Sequence, residues 1–168
     1  MLLETERIKL VPPAYTYLEK LFEVHHDPAN QKYNPAGPAT TIEAFRETLD
    51  QWIKHYEDHG FGYYVLIKKD HYLPFGVCGL QYKEILGQTY LNIYYRIEAA
   101  ETQQGLVSEA SRKIIEHVKE LTNNQYKIVA LTKKENTPSI KTAEKLGFKH
   151  NPELDNYDGE GNVYYFSE

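Results

Sequence analysis

Four successive segments are the most informative about the fold: TYLNIYYRI at 89–97, EAAETQQG at 98–105, LVSEASRKIIEHVKEL at 106–121 and YKIVALT at 126–132. The first and last pieces are rich in aromatic and β-branched residues, which favours strands, and the third has apolar residues at helical spacing. Its inward positions are predicted to be Val107, Ala110, Ile114, Val118 and Leu121. A strand, a helix and a strand form a crossover unit with parallel strands. The sequence therefore predicts a parallel strand pair.

The segments on either side of this unit predict antiparallel strands and three further helices. The predicted strands are 6–11, 61–68, 75–85, 148–150 and 163–167. The predicted helices are 15–26, a segment ending at Gly60, and a short helix with Thr137 as N-cap and Pro138 at its first position. We expect an α/β (α+β) protein with a mixed, mostly antiparallel sheet flanked by helices, in one domain over residues 1–168.

Composition excludes several classes of protein. With 19 Lys and Arg against 24 Asp and Glu, the net charge of −5 argues against a nucleic-acid partner. No apolar run reaches the length that spans a bilayer, and the first residues lack the pattern of a secretion signal. A single cysteine, Cys78, fits a reducing compartment, so we expect a cytoplasmic protein. The 15 tyrosines against 6 phenylalanines indicate either polar packing or an aromatic pocket.

The turn at Gln103, Gln104 and Gly105 leads from a strand into the long helix. Free N–H groups at a helix start bind anions, and a glycine lets a phosphate approach the main chain. A single glycine here is more often structural, and the spaced glycines of the Walker and dinucleotide-binding loops are missing. The turn alone is therefore a weak signal for a pyrophosphate site.

A wider set of segments resembles the GNAT acyl-CoA N-acyltransferases, in particular the branch that acetylates ribosomal-protein N-termini. The resemblance extends over nearly the whole chain. It is carried by LETERIKL (3–10), HDP (26–28), HGFG (59–62), 94–110, ALTKKENTPS (130–139) and AEKLGF (143–148).

This resemblance implies acetyl-CoA as acyl donor, CoA as product and a defined set of site residues. The strand end at Tyr95, Arg96 and Ile97 would pair its backbone with the pantetheine arm. The pyrophosphate would be bound by the backbone of Gln103, Gln104, Gly105, Leu106, Val107 and Ser108. Asn136 matches an asparagine that binds pantetheine, and Ser139 matches a serine near the thioester sulfur. A neutral amine would attack the thioester, a strand N–H would bind the oxyanion, and Ser139 would protonate the leaving thiolate.

The chain departs from the family at several positions. Thr102 and Val107 replace the usual residues of the phosphate loop, Ala143 stands where many members have a tyrosine acid, and Asn92 stands where many have a glutamate. The general base is therefore open: a water chain, Asp155 or Asp158 of the last hairpin, or no efficient turnover at all.

Aromatic residues are candidates for the wall of an acceptor groove, with Tyr33, Tyr63 and Tyr94 foremost. The others are Trp52, Tyr56 and Tyr64. For each ring by itself, packing is the commoner role. His55 and His59 have the spacing of two metal ligands, but a solvated helix end is the commoner interpretation, and we expect no metal.

Three functions are consistent with the sequence. The first is acetyl transfer from acetyl-CoA to a primary amine, either a peptide N-terminus or a small molecule. The second is an acyl-CoA-binding sensor or regulatory module with a degenerate catalytic site. The third, a binder of nucleotides or phosphate sugars, has only the anion-binding turn in its favour. No nucleic-acid or membrane partner is expected, and a homodimer stays open.

Overall fold

A mixed eight-stranded sheet is the centre of the computed structural model, which describes residues 3–30 and 41–168. The strands are β1 (Leu3–Glu4), β2 (Ile8–Val11), β3 (Tyr63–Lys68), β4 (Pro74–Ile85), β5 (Gln88–Ile97), β6 (Ile128–Lys133), β7 (Lys149–His150) and β8 (Asn162–Phe166). Their order in the sheet is β1-β2-β3-β4-β5-β6-β8-β7. β5 and β6 are parallel and the other neighbours are antiparallel, which confirms the predicted mixed sheet.

Four α-helices accompany the sheet within the described residues. They are α1 (Leu18–His26), α2 (Ile42–His59), α3 (Leu106–Leu121) and α4 (Thr137–Lys145). Thr41 caps α2 by accepting a hydrogen bond from the N–H of Ala44, and Gly60 ends it in the left-handed region. The N-cap of α4 is Asn136, so the prediction of Thr137 was wrong. The Asn136 side chain accepts from the N–H of Ser139, and Thr137 is already the first helical residue.

The two faces of the sheet are covered by different helices. α3 and α4 pack on one face through residues that include Leu106, Ile114 and Ala143. α1 and α2 pack on the other face, where Leu21 and Trp52 join a second cluster.

The predicted inward face of α3 is correct except at its end. Ala110, Ile114 and Val118 are buried, but Leu121 is half exposed. Leu121 is the last helical residue, and the following Thr122 is buried in its place, with its hydroxyl donating to the carbonyl of Val118.

No helix in residues 3–30 and 41–168 is long and apolar enough to cross a membrane. In the same residues, no three His, Cys, Asp or Glu side chains come together as a metal site.

Candidate active site

A gap opens between β5 and β6 in the middle of the sheet. Their pairing covers only Leu91 with Ile128 and Asn92 with Val129. Beyond this point β5 continues to Ile97 with its other edge paired to β4, and β6 continues with its other edge paired to β8. The two facing edges therefore diverge, and each has backbone groups that the sheet does not use.

The backbone of β5 presents donors to this gap. The N–H of Leu91 points towards β6, because it donates to the carbonyl of Lys127 at 2.9 Å. Alternate residues of a strand present their N–H groups to the same edge. The N–H of Ile93 is used by the pairing of Asn92 with Val129, so that of Tyr95 is the first to face the gap. An extended chain with amide groups could pair with this edge as a further strand would.

The turn before α3 has the geometry of an anion site. Gly105 is the N-cap of α3 at a φ of 76°, a conformation that favours glycine, and no side chain caps the helix. Within the described residues, the N–H groups of residues 103–108 donate to no acceptor. The dipole of the 16-residue helix adds partial positive charge at the same end. The predicted phosphate loop therefore has free donors in the required place.

Two side chains of the first hairpin hydrogen-bond to the first turn of α3. Glu109 in the first turn of α3 accepts from Arg7 Nε at 2.7 Å and from the hydroxyl of Thr5. Burial by itself raises the pKa of Glu109, but the hydrogen bonds from Thr5 and Arg7 outweigh it and hold that pKa below its ordinary value. An Arg7 terminal nitrogen would lie 3.7 Å from a Cβ on Gly105, so the guanidinium borders the loop.

A depression of about 660 Å³ lies beside the loop. Its wall carries cations and carboxylates in equal number, namely Arg7, Arg112, Lys113 and Lys145 with Glu4, Glu6, Glu109 and Glu116. Arg112 also donates to the carbonyl of Lys145, which joins α3 to α4. The wall therefore has no excess of positive charge, and Arg7 is the cation that borders the loop.

Asn136 and Ser139 lie together at the start of α4. Asn136 Oδ1 accepts from the N–H of Ser139 at 3.2 Å, and Asn136 Nδ2 donates to the Thr132 hydroxyl at 3.0 Å. Asn136 therefore holds the start of α4 against the end of β6, at the border of the gap. The Asn136 side chain caps α4, and binding of pantetheine by this residue stays a prediction.

Ser139 has a second partner, on the opposite side of the gap. The hydroxyl of Tyr95 on β5 donates to Ser139 Oγ at 2.7 Å. Sequence reasoning missed this contact, because it assigned only the backbone of Tyr95 to the site. Strand alternation was the one available signal, since it places the Tyr95 ring on the face that α4 covers.

The rings of Tyr63 and Tyr94 form the aromatic part of the site on the other face of the sheet. They stack at 5.0 Å across Gly79, which is the register partner of both. Trp52 of α2 packs against both rings from above. The predicted acceptor residues Tyr63 and Tyr94 are thus brought together beside the gap, while Tyr33 lies outside the described residues.

Two other predicted wall residues belong to the opposite face. Tyr64 alternates with Tyr63 along β3 and joins the cluster under α3, where Tyr56 packs edge-on against it. The expectation that these two rings line the same groove as Tyr63 was wrong. Tyr64 points to the opposite face because it is the strand neighbour of Tyr63, and Tyr56 packs against Tyr64 there.

His25 supports the aromatic wall from α1. Its Nδ1–H donates to the carbonyl of Leu21 at 2.8 Å, and its Nε2 accepts from the Tyr94 hydroxyl at 3.2 Å. Burial, together with the nearby Arg96 charge, lowers the pKa of His25 from 6.5 to about 4, so the imidazole is neutral at neutral pH. The interpretation of His25 as a satisfied interior group is confirmed.

Asn92 and Gln81 form a polar floor where the parallel pairing ends. They are register partners on β5 and β4. Asn92 Oδ1 and Gln81 Nε2 are both buried without a hydrogen-bond partner. Buried polar atoms are normally paired, so an unpaired acceptor beside an unpaired donor marks a place for a polar ligand. Sequence reasoning noted only that Asn92 is not a carboxylate.

The two carboxylates of the last hairpin lie at different places, Asp155 beside the edge strand β7 and Asp158 beside the start of β8, where Asn162 pairs with Lys133 of β6. Asp155 Oδ1 accepts from His150 Nε2 at 2.7 Å on the β7 side. Asp158 accepts from Asn162 Nδ2 at 2.7 Å. β8 lies between β7 and β6, so the structure does not bring Asp155 to Ser139 or Asn136. A base role for Asp155 stays a prediction.

The remaining candidates have structural partners. His55 Nδ1–H donates to the carbonyl of Phe61, and its Nε2 accepts from the N–H of Tyr82. Cys78 is fully buried, and burial raises the pKa of its thiol to about 12, which confirms it as a small interior residue.

Comparison with known proteins agrees with this geometry. A family model described as acetyltransferase (GNAT) domain matches residues 7–149. An acetyltransferase from Agrobacterium tumefaciens is 17% identical, with a TM-score of 0.84 over 100% of this chain and 94% of that one.

Two further solved structures share the fold. The ribosomal L7/L12 α-N-protein acetyltransferase RimL in complex with coenzyme A is 15% identical, with a TM-score of 0.79 over 99% of this chain and 97% of that one. The ribosomal-protein-S5-alanine acetyltransferase from Vibrio fischeri is 15% identical, with a TM-score of 0.72 over 99% and 96%.

Proposed function

Since the chain belongs to the GNAT acetyltransferase family and uses acetyl-CoA, we propose that it acetylates a primary amine, on a peptide N-terminus or a small molecule. The observation that carries the proposal is the gap between β5 and β6, with Ser139 at its border and free N–H groups at the start of α3. RimL, which acts on a protein N-terminus, has the same fold, and this supports the peptide as one of the two acceptors.

The residues around the gap fit the parts of acetyl-CoA. The free N–H groups of 103–108, together with Arg7, suit the phosphates. The N–H of Tyr95, on the β5 edge beyond the last pair with β6, suits an amide of pantetheine or the thioester carbonyl. Acetyl-CoA would supply a thioester whose carbonyl carbon is open to attack by a neutral amine.

The acceptor side of the site is neutral and aromatic. Asn92 Oδ1 can accept an N–H of the incoming amine and so orient its lone pair, but an amide takes no proton. His25 is neutral and already hydrogen-bonded to Tyr94. The amine must therefore reach the site as the free base or lose its proton to water, which favours amines of lower pKa, such as the α-amino group of a peptide.

Ser139 is the proposed proton donor to the leaving sulfur. Its position in the first turn of α4 is set by Asn136, and its oxygen already accepts a hydrogen bond from Tyr95.

We also place the protein in the cytoplasm, because its single thiol has no partner for a disulfide and fits a reducing compartment.

A binding test comes first. Thermal denaturation with CoA, acetyl-CoA and ATP should show stabilisation by the two CoA species, about 2.7 kcal/mol at one hundred times the dissociation constant. Gly105→Ala should weaken CoA binding roughly tenfold, because a side chain strains the loop that donates to the phosphates. Gly87→Ala is the matched control, since Gly87 has the same φ of 76° in the β4–β5 turn. Absence of any shift with CoA would refute the proposal.

Thiol release over a panel of amines then tests turnover. The panel should pair peptides with free N-termini against alkyl amines of similar size. Release that depends on the amine supports acetyl transfer, with the faster class identifying the acceptor. CoA binding without release across the panel would instead indicate an acyl-CoA sensor.

A further inference from the structure

Tyr95 and Ser139 connect the two borders of the gap by one short hydrogen bond. Tyr95 is on β5, the strand whose backbone faces the gap, and Ser139 is in the first turn of α4. The phenol hydroxyl donates to Ser139 Oγ at 2.7 Å. The ring packs into the cluster under α3 and α4, which holds the hydroxyl in place. The pair is thus built into the fold at the position where the proposed chemistry takes place.

The direction of this bond matters for the serine. Because Ser139 Oγ accepts from Tyr95, its own proton is free to point to another atom. A lone serine is a poor acid, since the alkoxide it leaves is unstable in a partly buried place. A phenol that donates to the same oxygen can return a proton as the serine gives one away. Burial raises the pKa of Tyr95, which keeps the phenol protonated and ready to donate at neutral pH.

We propose that Tyr95 is a positioning residue that orients the Ser139 hydroxyl towards the thioester sulfur and replaces the proton that Ser139 donates. The inference rests on the proposed acetyl transfer. The amine nitrogen forms a bond to the acyl carbon, the carbon–sulfur bond breaks, and its electron pair leaves with sulfur. Sulfur takes the Ser139 proton, Ser139 takes the Tyr95 proton, and water returns one to Tyr95. The amine loses its extra proton to water, so protons and electrons balance.

The position of Ala143 strengthens the assignment. Ala143 is buried on α4, one helical turn after Ser139, and its methyl group has no proton to exchange. Thr142 in the same turn has a hydroxyl, but it donates to the carbonyl of Pro138, so the hydroxyl bonded to Ser139 Oγ is that of Tyr95 on the strand.

A first experiment measures the thiol of bound CoA without turnover. The ultraviolet absorbance of the thiolate is followed against pH in complexes of CoA with the wild type and with Tyr95→Phe, which keeps the ring and removes only the hydroxyl. Hydrogen-bond donors to sulfur stabilise the thiolate. The pH at which half of the bound CoA thiol is ionised should therefore be about one unit higher in the variant, a tenfold change in the ratio of thiolate to thiol. Tyr90→Phe is the control, since Tyr90 is on the same strand and packs against Phe166 away from the gap. Identical titrations for the wild type and Tyr95→Phe would overturn the inference.

A second experiment uses steady-state kinetics of the two partners. Tyr95→Phe and Ser139→Ala should each lower kcat about tenfold with the KM for acetyl-CoA unchanged, and the double variant should lose no more than the worse single one. Ser139→Ala breaks the same bond from its other end, so the result does not depend on one variant. Losses that multiply, or a change in KM alone, would show that Tyr95 only supports the fold.

The two proposals fail in different ways. A wild type that neither binds CoA nor releases thiol refutes the proposed function. A wild type that does both, with Tyr95→Phe equal to it in the CoA titration and in kcat, refutes only the role of Tyr95.

Discussion

Acidification should destabilise this protein through one buried imidazole, that of His25 in α1. The ring is 93% buried, given its 7% exposure, and both nitrogens are hydrogen-bonded, to Leu21 and to Tyr94. Burial lowers its pKa from 6.5 to about 4, and the Arg96 charge acts in the same direction. Between about pH 6.5 and pH 4, His25 therefore binds a proton in the unfolded chain but not in the folded one.

The sign and size of the effect follow from this difference. A depressed pKa means that stability is fully present above about pH 6.5 and is lost as the pH falls towards 4. A difference of roughly 2.5 units at about 1.4 kcal/mol each gives a loss of about 3 kcal/mol. Against a typical domain stability of roughly 5–15 kcal/mol, this is a large fraction.

The assay is urea denaturation across this pH range, for the wild type and His25→Gln. An uncharged amide can donate to Leu21 and accept from Tyr94 at every pH, so the variant should lose about 3 kcal/mol less on acidification. His117→Gln on α3 is the control for exchanging a histidine away from this cluster, and it should follow the wild type. Carboxylates contribute equally to all three proteins.

Two results would contradict the reasoning. One is an acid loss in His25→Gln as large as in the wild type. The other is an imidazole signal of His25, followed by nuclear magnetic resonance, that titrates near 6.5 in the folded protein.

Four further changes test other parts of the structure. A Cβ on Gly79 would overlap the carbonyl oxygen of Gly62, so Gly79→Ala should lower the free energy of unfolding by about 3 kcal/mol in urea denaturation. Arg7→Gln should weaken CoA binding about tenfold in calorimetry, because a charged donor beside the phosphate loop is lost. Asn92→Glu should extend acetylation to lower pH, since the new carboxylate can take the proton of the amine; an unchanged pH–rate profile would count against the proposed acceptor floor. Cys78, fully buried with a pKa raised to about 12, should react with a thiol reagent only on unfolding.

The elements of the fold could be predicted from local pattern. The crossover over 89–132 predicts the parallel pair of β5 and β6, because a helix between two strands of one sheet almost always connects them as a right-handed parallel unit. Gly105 identifies the start of α3, since the turn there needs positive φ. The N-cap of α4 was predicted one residue too late. Asn and Thr are both favourable N-cap residues, and the backbone conformation decides that Asn136 takes this position.

The candidate site was predicted in part. Gln103 to Ser108 form the loop expected of them, and Ser139 stands at the border of the gap. Among the aromatic residues, Tyr63 and Tyr64 are neighbours in sequence but lie on opposite faces of β3, and an acceptor role for Tyr63 and Tyr94 stays a prediction. The position of a residue in the sequence does not tell which face of the strand borders the acceptor groove. That depends on which helices cover each face of the sheet.

Local patterns were enough to assign most strands and helices, the anion-binding turn and the family. The packed fold was needed to show that β5 and β6 separate after Asn92, that Tyr95 meets Ser139 and that Asp155 lies at the outer edge. Periodicity and turn residues act over a few positions only. A hydrogen bond between residues 44 positions apart depends on how the sheet and α4 pack.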